Sequence, residues 1–314
     1  MTWLKDDFTR YSEPHLLYLS SKSDPSPRRG IFMKGGCDLA SVFVAAPLIQ
    51  ETLKGTVAIV AQGIGIADSR PDILLQSRRE LPEEAIQEVV GPSWDQPTEE
   101  ESDKEVELGM SRLTVPLEYF RPVLFEKVFT LPRHEHLGEF PKDVVVLSLG
   151  PSVVRTAYRH KTHGYLIDPG GFWLNNRIDK VLHDAQRNRW FKQNFECLGR
   201  LKVEEFAQSF AEVVRLVKRD TGAHVLVFNT LIVDPGNPAH NYQFSDTSQA
   251  LQRRQFDLAL RDLSRELDFY ILDVDNILKK SDLKKQLEFA YFPPEHMKPI
   301  AEEAYRILRE LEVV

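Results

Sequence analysis

Five short apolar runs recur along the chain, rich in branched residues and each closed by Gly, Asn or Asp. They are 30–34 (GIFMK), 56–62 (TVAIVAQ), 143–149 (DVVVLSL), 224–229 (HVLVFN) and 269–274 (FYILDV). Near-continuous apolar runs of this length suit strands buried on both faces, as in a parallel sheet; a strand with one wet face alternates instead. Patterns of helical period separate most of them. Residues 38–53 carry Leu39, Val42, Phe43, Ile49 and Leu53 at helical spacing, with Pro47 as a point of kinking. The stretch 203–219 (VEEFAQSFAEVVRLVKR) is amphipathic and stops short of Gly222. Residues 248–267 align Leu251, Phe256, Leu260 and Leu263 along one side. Residues 299–311 do the same with Ile300, Ala304, Ile307, Leu308 and Leu311, behind a proline in the first turn. Strand–helix alternation with right-handed crossovers predicts an α/β fold, a three-layer α/β/α sandwich around a five-stranded parallel sheet of flavodoxin-like order.

Residues 1–29 are polar and broken by Ser23-Asp24-Pro25-Ser26-Pro27, an extended lead-in to a single domain over 30–314. Between the second and third predicted strands lies an insertion at 67–141. Its middle, 91–107 (GPSWDQPTEEESDKEVE), has the composition of a solvated loop or tether, the other reading being a lid or docking arm for a basic partner. Composition narrows the classes further. The 314 residues are 42% hydrophobic and 28% charged with a net charge of -7, which fits a globular chain able to bury its own core and offers nucleic acid no electrostatic footprint. No apolar run approaches the ~20 residues of a spanning helix, so no membrane partner is expected. Residues 1–10 are charged and lack the apolar centre of a secretory signal, which points to a cytoplasmic protein. Two cysteines, Cys37 and Cys197, make no disulfide framework or metal-ligand cluster, and no metal or cofactor is expected. Gly63-Ile64-Gly65 imitates the start of a dinucleotide fingerprint, but Asp68 stands where its third glycine belongs.

In an open parallel sheet, ligands bind outside the carboxyl ends of the strands, near the switch in strand order. The residues that follow each run therefore carry the chemistry. After the first run comes Gly35-Gly36-Cys37-Asp38. Cys37 falls at or beside a helix N-terminus, where free N–H groups and the positive dipole end favour a thiolate, and the paired glycines allow a tight turn. The alternative is a small thiol packed under the turn. Cys197, between Phe195 and Leu198, reads as core packing. Near the end, Pro293-Pro294-Glu295-His296 precedes the last helix, placing His296 where it can act as general base for Cys37 from a loop at the same edge. Tyr158, His160, Lys161 and His163 read as a solvated polar loop, while Asp168-Pro169-Gly170-Gly171 and 234–238 (DPGNP) read as turns.

Together these elements resemble the SGNH hydrolase superfamily of GDSL-type esterases and acyltransferases, over about 30–311. The resemblance rests on the Gly-rich turn after the first strand, Gly63 after the second, the run DVVVLSLG ending at Gly150, and His296 before the last helix. It implies Cys37 in place of the nucleophilic serine, with Gly36 at the family's Asp. It implies Gly150 and Ser152 where the family has its Gly and oxyanion Asn, and His296 as base without the usual Asp three residues before it. A register slipped by one would put Asp38 at the nucleophile's place. Gly63 and Asn229 are the other candidate oxyanion or binding groups, and the candidates to orient His296 are Glu295 and Asp275, between which the sequence does not choose. The activity implied is acyl transfer on a small-molecule or glycan acyl ester, as an esterase, thioesterase or acyltransferase. The alternative is a non-catalytic protein of the same fold that binds a glycan or a protein partner.

Overall fold

The structure is a computed structural model and describes residues 8–10, 17–19, 29–35, 38–39, 42, 57–61, 69–76, 123–130, 139–168, 185–232, 247–280 and 294–313. The first six strands are β1 (Phe8–Arg10), β2 (Leu17–Leu19), β3 (Arg29–Lys34), β4 (Val57–Ala61), β5 (Val128–Thr130) and β6 (Glu139–Pro141). The next six are β7 (Val144–Ser148), β8 (Thr156–His160), β9 (Leu166–Ile167), β10 (Phe195–Arg200), β11 (His224–Phe228) and β12 (Tyr270–Leu272). The α-helices are α1 (Pro71–Gln76), α2 (Gly150–Val154), α3 (Ala185–Asn194), α4 (Val203–Thr221), α5 (Thr247–Leu267), α6 (Val274–Lys280) and α7 (Pro294–Glu310).

The main sheet has the order β1-β2-β4-β3-β7-β11-β12. Each of the five apolar runs supplies one strand, and those five strands pair in parallel. Where the sequence predicts five strands, however, the sheet has seven. The expected lead-in contributes β1 and β2, which pair antiparallel with each other, and β2 pairs antiparallel with β4. Without them β4 would present a bare row of N–H and C=O groups at the sheet edge, and β2 satisfies that row.

Both faces of the central strands are buried, which is why their sequences barely alternate. Ile31, Met33, Val144, Val146, Leu226 and Phe228 point to one face and form a single cluster with residues of α6 and α7. Phe32, Val145, Leu147, Val225 and Val227 point to the other and are buried as well. There the β5–β6 hairpin brings Phe129 to a ring separation of 5.8 Å from Phe32, with Phe140 stacked behind it. The amino ends of three strands are stitched at Asp143, whose N–H donates to the Gly30 carbonyl and whose carbonyl accepts from the His224 N–H. Its carboxylate accepts from the Gly30 N–H at 2.7 Å and from Arg29 at 3.0 Å.

The chain divides into two compact units, one of Met1–Ile66, Val123–Gly150 and Phe210–Val314, the other of Ala67–Pro122 and Pro151–Ser209. The second unit holds the small sheet β10-β8-β9. Residues expected as a solvated loop belong to its interior: Tyr158 and His160 lie on β8, and His160 is fully buried against the rings of Tyr165 and Phe195. Asp168, expected in a turn, is buried in a bidentate pair with Arg155 at 2.5 and 2.6 Å. Cys197 is exposed on β10 instead of packed in a core, because β10 buries little beyond Phe195. No helix among the described residues is long and apolar enough to cross a membrane. The acidic stretch 91–107 lies outside the described residues.

Candidate functional site

From β3 the strand order runs one way to β4 and the other way to β7, β11 and β12, so the switch falls between β3 and β7. The crevice outside their carboxyl ends is where an open sheet of this kind binds a ligand. What stands there begins with a close approach. A Cβ at Gly35 would come 2.8 Å from Ser148 Cβ and 2.5 Å from a Leu39 methyl, so only glycine lets the chain leave β3 this near β7.

Beyond that turn the chain is helical at residues 38, 39 and 42. Asp38 is 9% exposed, and its Oδ2 accepts a 2.6 Å hydrogen bond from Ser148 Oγ. The same Ser148 oxygen accepts from the Gly150 N–H at 3.1 Å. Ser148 thus acts as an N-cap for α2 while it fixes the Asp38 carboxylate. Of the expected site residues, Asp38 and Gly150 are brought together in this way. Gly36, Cys37 and Gly63 lie outside the described residues. Ser152 is fully buried within α2, and its hydroxyl makes no hydrogen bond among the described residues.

Asn229 follows β11 and is 3% exposed. Its Nδ2 donates to Asp257 at 2.9 Å and to Asp273 at 2.9 Å, and its Oδ1 accepts from the Asp275 N–H. An amide with both hydrogens engaged has none left for an oxyanion. Asn229 instead ties the ends of β11 and β12 together, and Arg261 closes the network by donating to both Asp257 and Asp273. The Asp257 hydrogen bond is the largest influence holding the Arg261 guanidinium above its ordinary pKa, with burial opposing it. Asp275 is also engaged, accepting from the Ile232 N–H at 2.7 Å and pairing with Lys279.

His296 is not on a loop. Helix α7 starts at Pro294, five residues before the sequence pattern places it, so His296 sits in its first turn and is 0% exposed. The pattern misleads because Pro299 looks like a helix start. The helix tolerates it one turn in, where burial of Ile300, Ala301 and Ala304 outweighs the one hydrogen bond a proline cannot donate. The far end of α7 is next to the sheet's amino edge, since Leu311 and Val313 line a cavity with Arg29, Asp143 and His224. His296 lies in the first turn of this seventeen-residue helix, at the end away from Leu311 and Val313.

Two contributors went unread in the sequence. Ser148 looks like one more strand residue, although a serine two residues before a glycine that opens a helix is a capping signal. Asp257 and Arg261 stand four apart on α5, a spacing that reads as a surface pair until Asn229 and Asp273 meet it.

No family model and no curated protein matches the chain. Among solved structures it is similar to a variant of an acetyl-xylooligosaccharide esterase from Geobacillus, at 9% identity and a TM-score of 0.40 over 91% of this chain and 95% of that one. It is also similar to an acetylxylan esterase from Geobacillus stearothermophilus, at 10% identity and a TM-score of 0.38 over 93% and 96%. A third is an alpha/beta hydrolase enzyme from the metagenome of Lake Arreo, Spain, at 10% identity and a TM-score of 0.35 over 92% and 97%. Likenesses this distant carry no weight for function, which has to come from this chain's own residues. The class defined so far is a mixed α/β protein whose parallel sheet presents a polar, glycine-rich switch point.

Proposed function

We propose that the chain performs acyl-transfer chemistry of the SGNH type at the carboxyl edge of the main sheet, on a small-molecule or glycan acyl ester. In this proposal the domain is a three-layer sandwich whose five parallel strands follow flavodoxin-like order. Cys37 attacks the acyl carbon and His296 takes the thiol proton. Backbone N–H groups near Cys37 and Gly63 hold the oxyanion. The alcohol leaves as its C–O bond breaks, taking the proton from His296, and water or an acceptor hydroxyl then releases the acyl group from the thioester. Asn229 and Ser152 are left out as donors, the first because its amide is engaged and the second because it is buried.

The observation that carries the proposal is the Asp38–Ser148–Gly150 link, which pins the residue after Cys37 at the switch between β3 and β7. In this reading His296, in the first turn of α7, supplies the base. A second reading, a non-catalytic protein of this fold that binds a glycan or a protein partner, draws support from the complete burial of His296. A base sealed from solvent meets substrate only if the residues over it move.

One experiment separates the two. Alkylation of Cys37 by iodoacetamide is followed against pH in a Cys197→Ser background, because exposed Cys197 would react as well. The proposal expects a midpoint well below the ordinary thiol value of about 8.5 and hydrolysis of p-nitrophenyl acetate that Cys37→Ala abolishes. His296→Asn should move the midpoint upward, with the melting temperature read alongside because that side chain is buried. A midpoint at or above the ordinary value, with turnover unchanged in Cys37→Ala, overturns the proposal.

A further inference from the structure

Thr162 and His163 form the middle of the turn between β8 and β9, and both of their backbone N–H groups donate to one side-chain atom, His160 Nδ1, at 3.2 and 3.1 Å. The imidazole thus caps the turn as a serine or aspartate caps a helix. The rest of the turn closes on the same residue. The His160 N–H donates to the Tyr165 carbonyl and the His160 carbonyl accepts from the Gly164 N–H, both at 2.8 Å.

These bonds fix the state of the ring. An atom that accepts from two N–H groups presents a lone pair, so Nδ1 holds no proton and the imidazole is neutral, with its hydrogen on Nε2. That follows whatever Nε2 itself meets. A proton on Nδ1 would set one N–H against two others, and His160 is 0% exposed, so water is not there to relieve them. Tyr165 stacks on the ring at 4.9 Å, His163 lies at 4.8 Å and Phe195 meets it edge-on at 4.9 Å. Among the described residues on the elements around it, the titratable groups facing the ring are therefore the His163 imidazole and the Tyr165 phenol. Lys161 turns its ammonium to the Lys192 and Gln193 carbonyls of α3, and Glu196 on β10 pairs with Arg159.

We propose that His160 is an acid-sensitive latch: when it takes a proton, the β8–β9 turn opens and releases the Thr162 and His163 amides. In the open turn the imidazole binds a proton at its ordinary value of about 6.5, whereas the closed turn excludes one from Nδ1. Below about pH 6.5 the open form therefore binds one more proton, and the ratio of open to closed rises about tenfold per pH unit; above that pH the latch holds at full strength. Strand β9 keeps its own attachments, to β8 at Tyr158 and Arg159 and to the Gln76 side chain at Leu166, which confines the opening to the turn. All of these residues belong to the second unit, and the device is independent of the acyl chemistry proposed above.

The test is amide hydrogen exchange of the full chain, read by NMR from pH 7.5 to 5 with each rate divided by its intrinsic rate at that pH. Protection of the Thr162 and His163 amides should fall by roughly thirtyfold across that range, while amides in the middle of α4 keep theirs. In His160→Asn the side-chain oxygen takes the place of Nδ1 and does not titrate, so protection should persist and its pH dependence vanish. His163→Gln removes the neighbouring imidazole and should leave the fall unchanged. Protection independent of pH in the wild-type chain overturns the proposal, as does an undiminished fall in His160→Asn. If circular dichroism shows that His160→Asn does not fold, His163→Gln decides instead: loss of the fall there makes His163 the titrating group and overturns the proposal, and its persistence supports it.

Discussion

Replacing Lys142 by Met should stabilise the protein near pH 6 and lose that advantage as the pH rises. Burial is the main influence on this lysine and lowers its pKa from 10.5 to about 7, against a smaller upward pull from Glu126. The unfolded lysine keeps its proton to about pH 10, while the folded one gives it up near 7. Between those values the unfolded chain binds about one more proton, so stability rises with pH by roughly 1.4 kcal/mol per unit. Below pH 7 both states are protonated and the fold carries the whole desolvation cost, on the order of 4 kcal/mol. Methionine is unbranched, carries no charge and adapts to an irregular buried site. It forfeits the ammonium–ring contact, about 0.5–2 kcal/mol, so the net gain near pH 6 should be about 2–3 kcal/mol. Urea unfolding of both proteins from pH 6 to 9.5 measures this, and the difference between them removes the contribution of every other titrating group. A difference that stays flat across that range would refute the reasoning, since it would mean that Lys142 titrates alike folded and unfolded.

Ser148→Ala removes the hydrogen bond to Asp38 and the cap on Gly150 together, and should cost about 1–3 kcal/mol in urea unfolding. Arg155→Ala removes the bidentate partner of the buried Asp168 carboxylate, at about 3–5 kcal/mol, whereas the double replacement Arg155→Met with Asp168→Leu should recover most of it; equal losses in the two variants would refute this. Gly35→Ala drives a Cβ against Ser148 and Leu39 and should cost about 1–3 kcal/mol, read as a lower thermal midpoint.

The sequence alone determined the strands of the parallel sheet and the long helices, because each is set by local burial. A run such as 143–149 is apolar on both faces wherever it is placed, and 203–219 has one apolar stripe whatever it packs against. It also singled out the turn after the first strand, since paired glycines before a helical pattern have few other uses. Pairing between distant segments decided the rest. Residues 8–10 and 17–19 became strands because β4 would otherwise end the sheet with open hydrogen-bonding groups. Tyr158 and His160 alternate too briefly to announce a strand, and β10 and the surrounding rings give them one. Asn229 looked like a ligand donor after a strand; Asp257 and Asp273, 28 and 44 residues away, claimed its hydrogens. His296 lost its loop because the apolar face of α7 extends the helix back past a proline that local propensity would place at its start. Burial leaves its mark on each residue separately and can be read along the chain, whereas a hydrogen bond or ion pair between distant residues exists only once the fold brings both partners together.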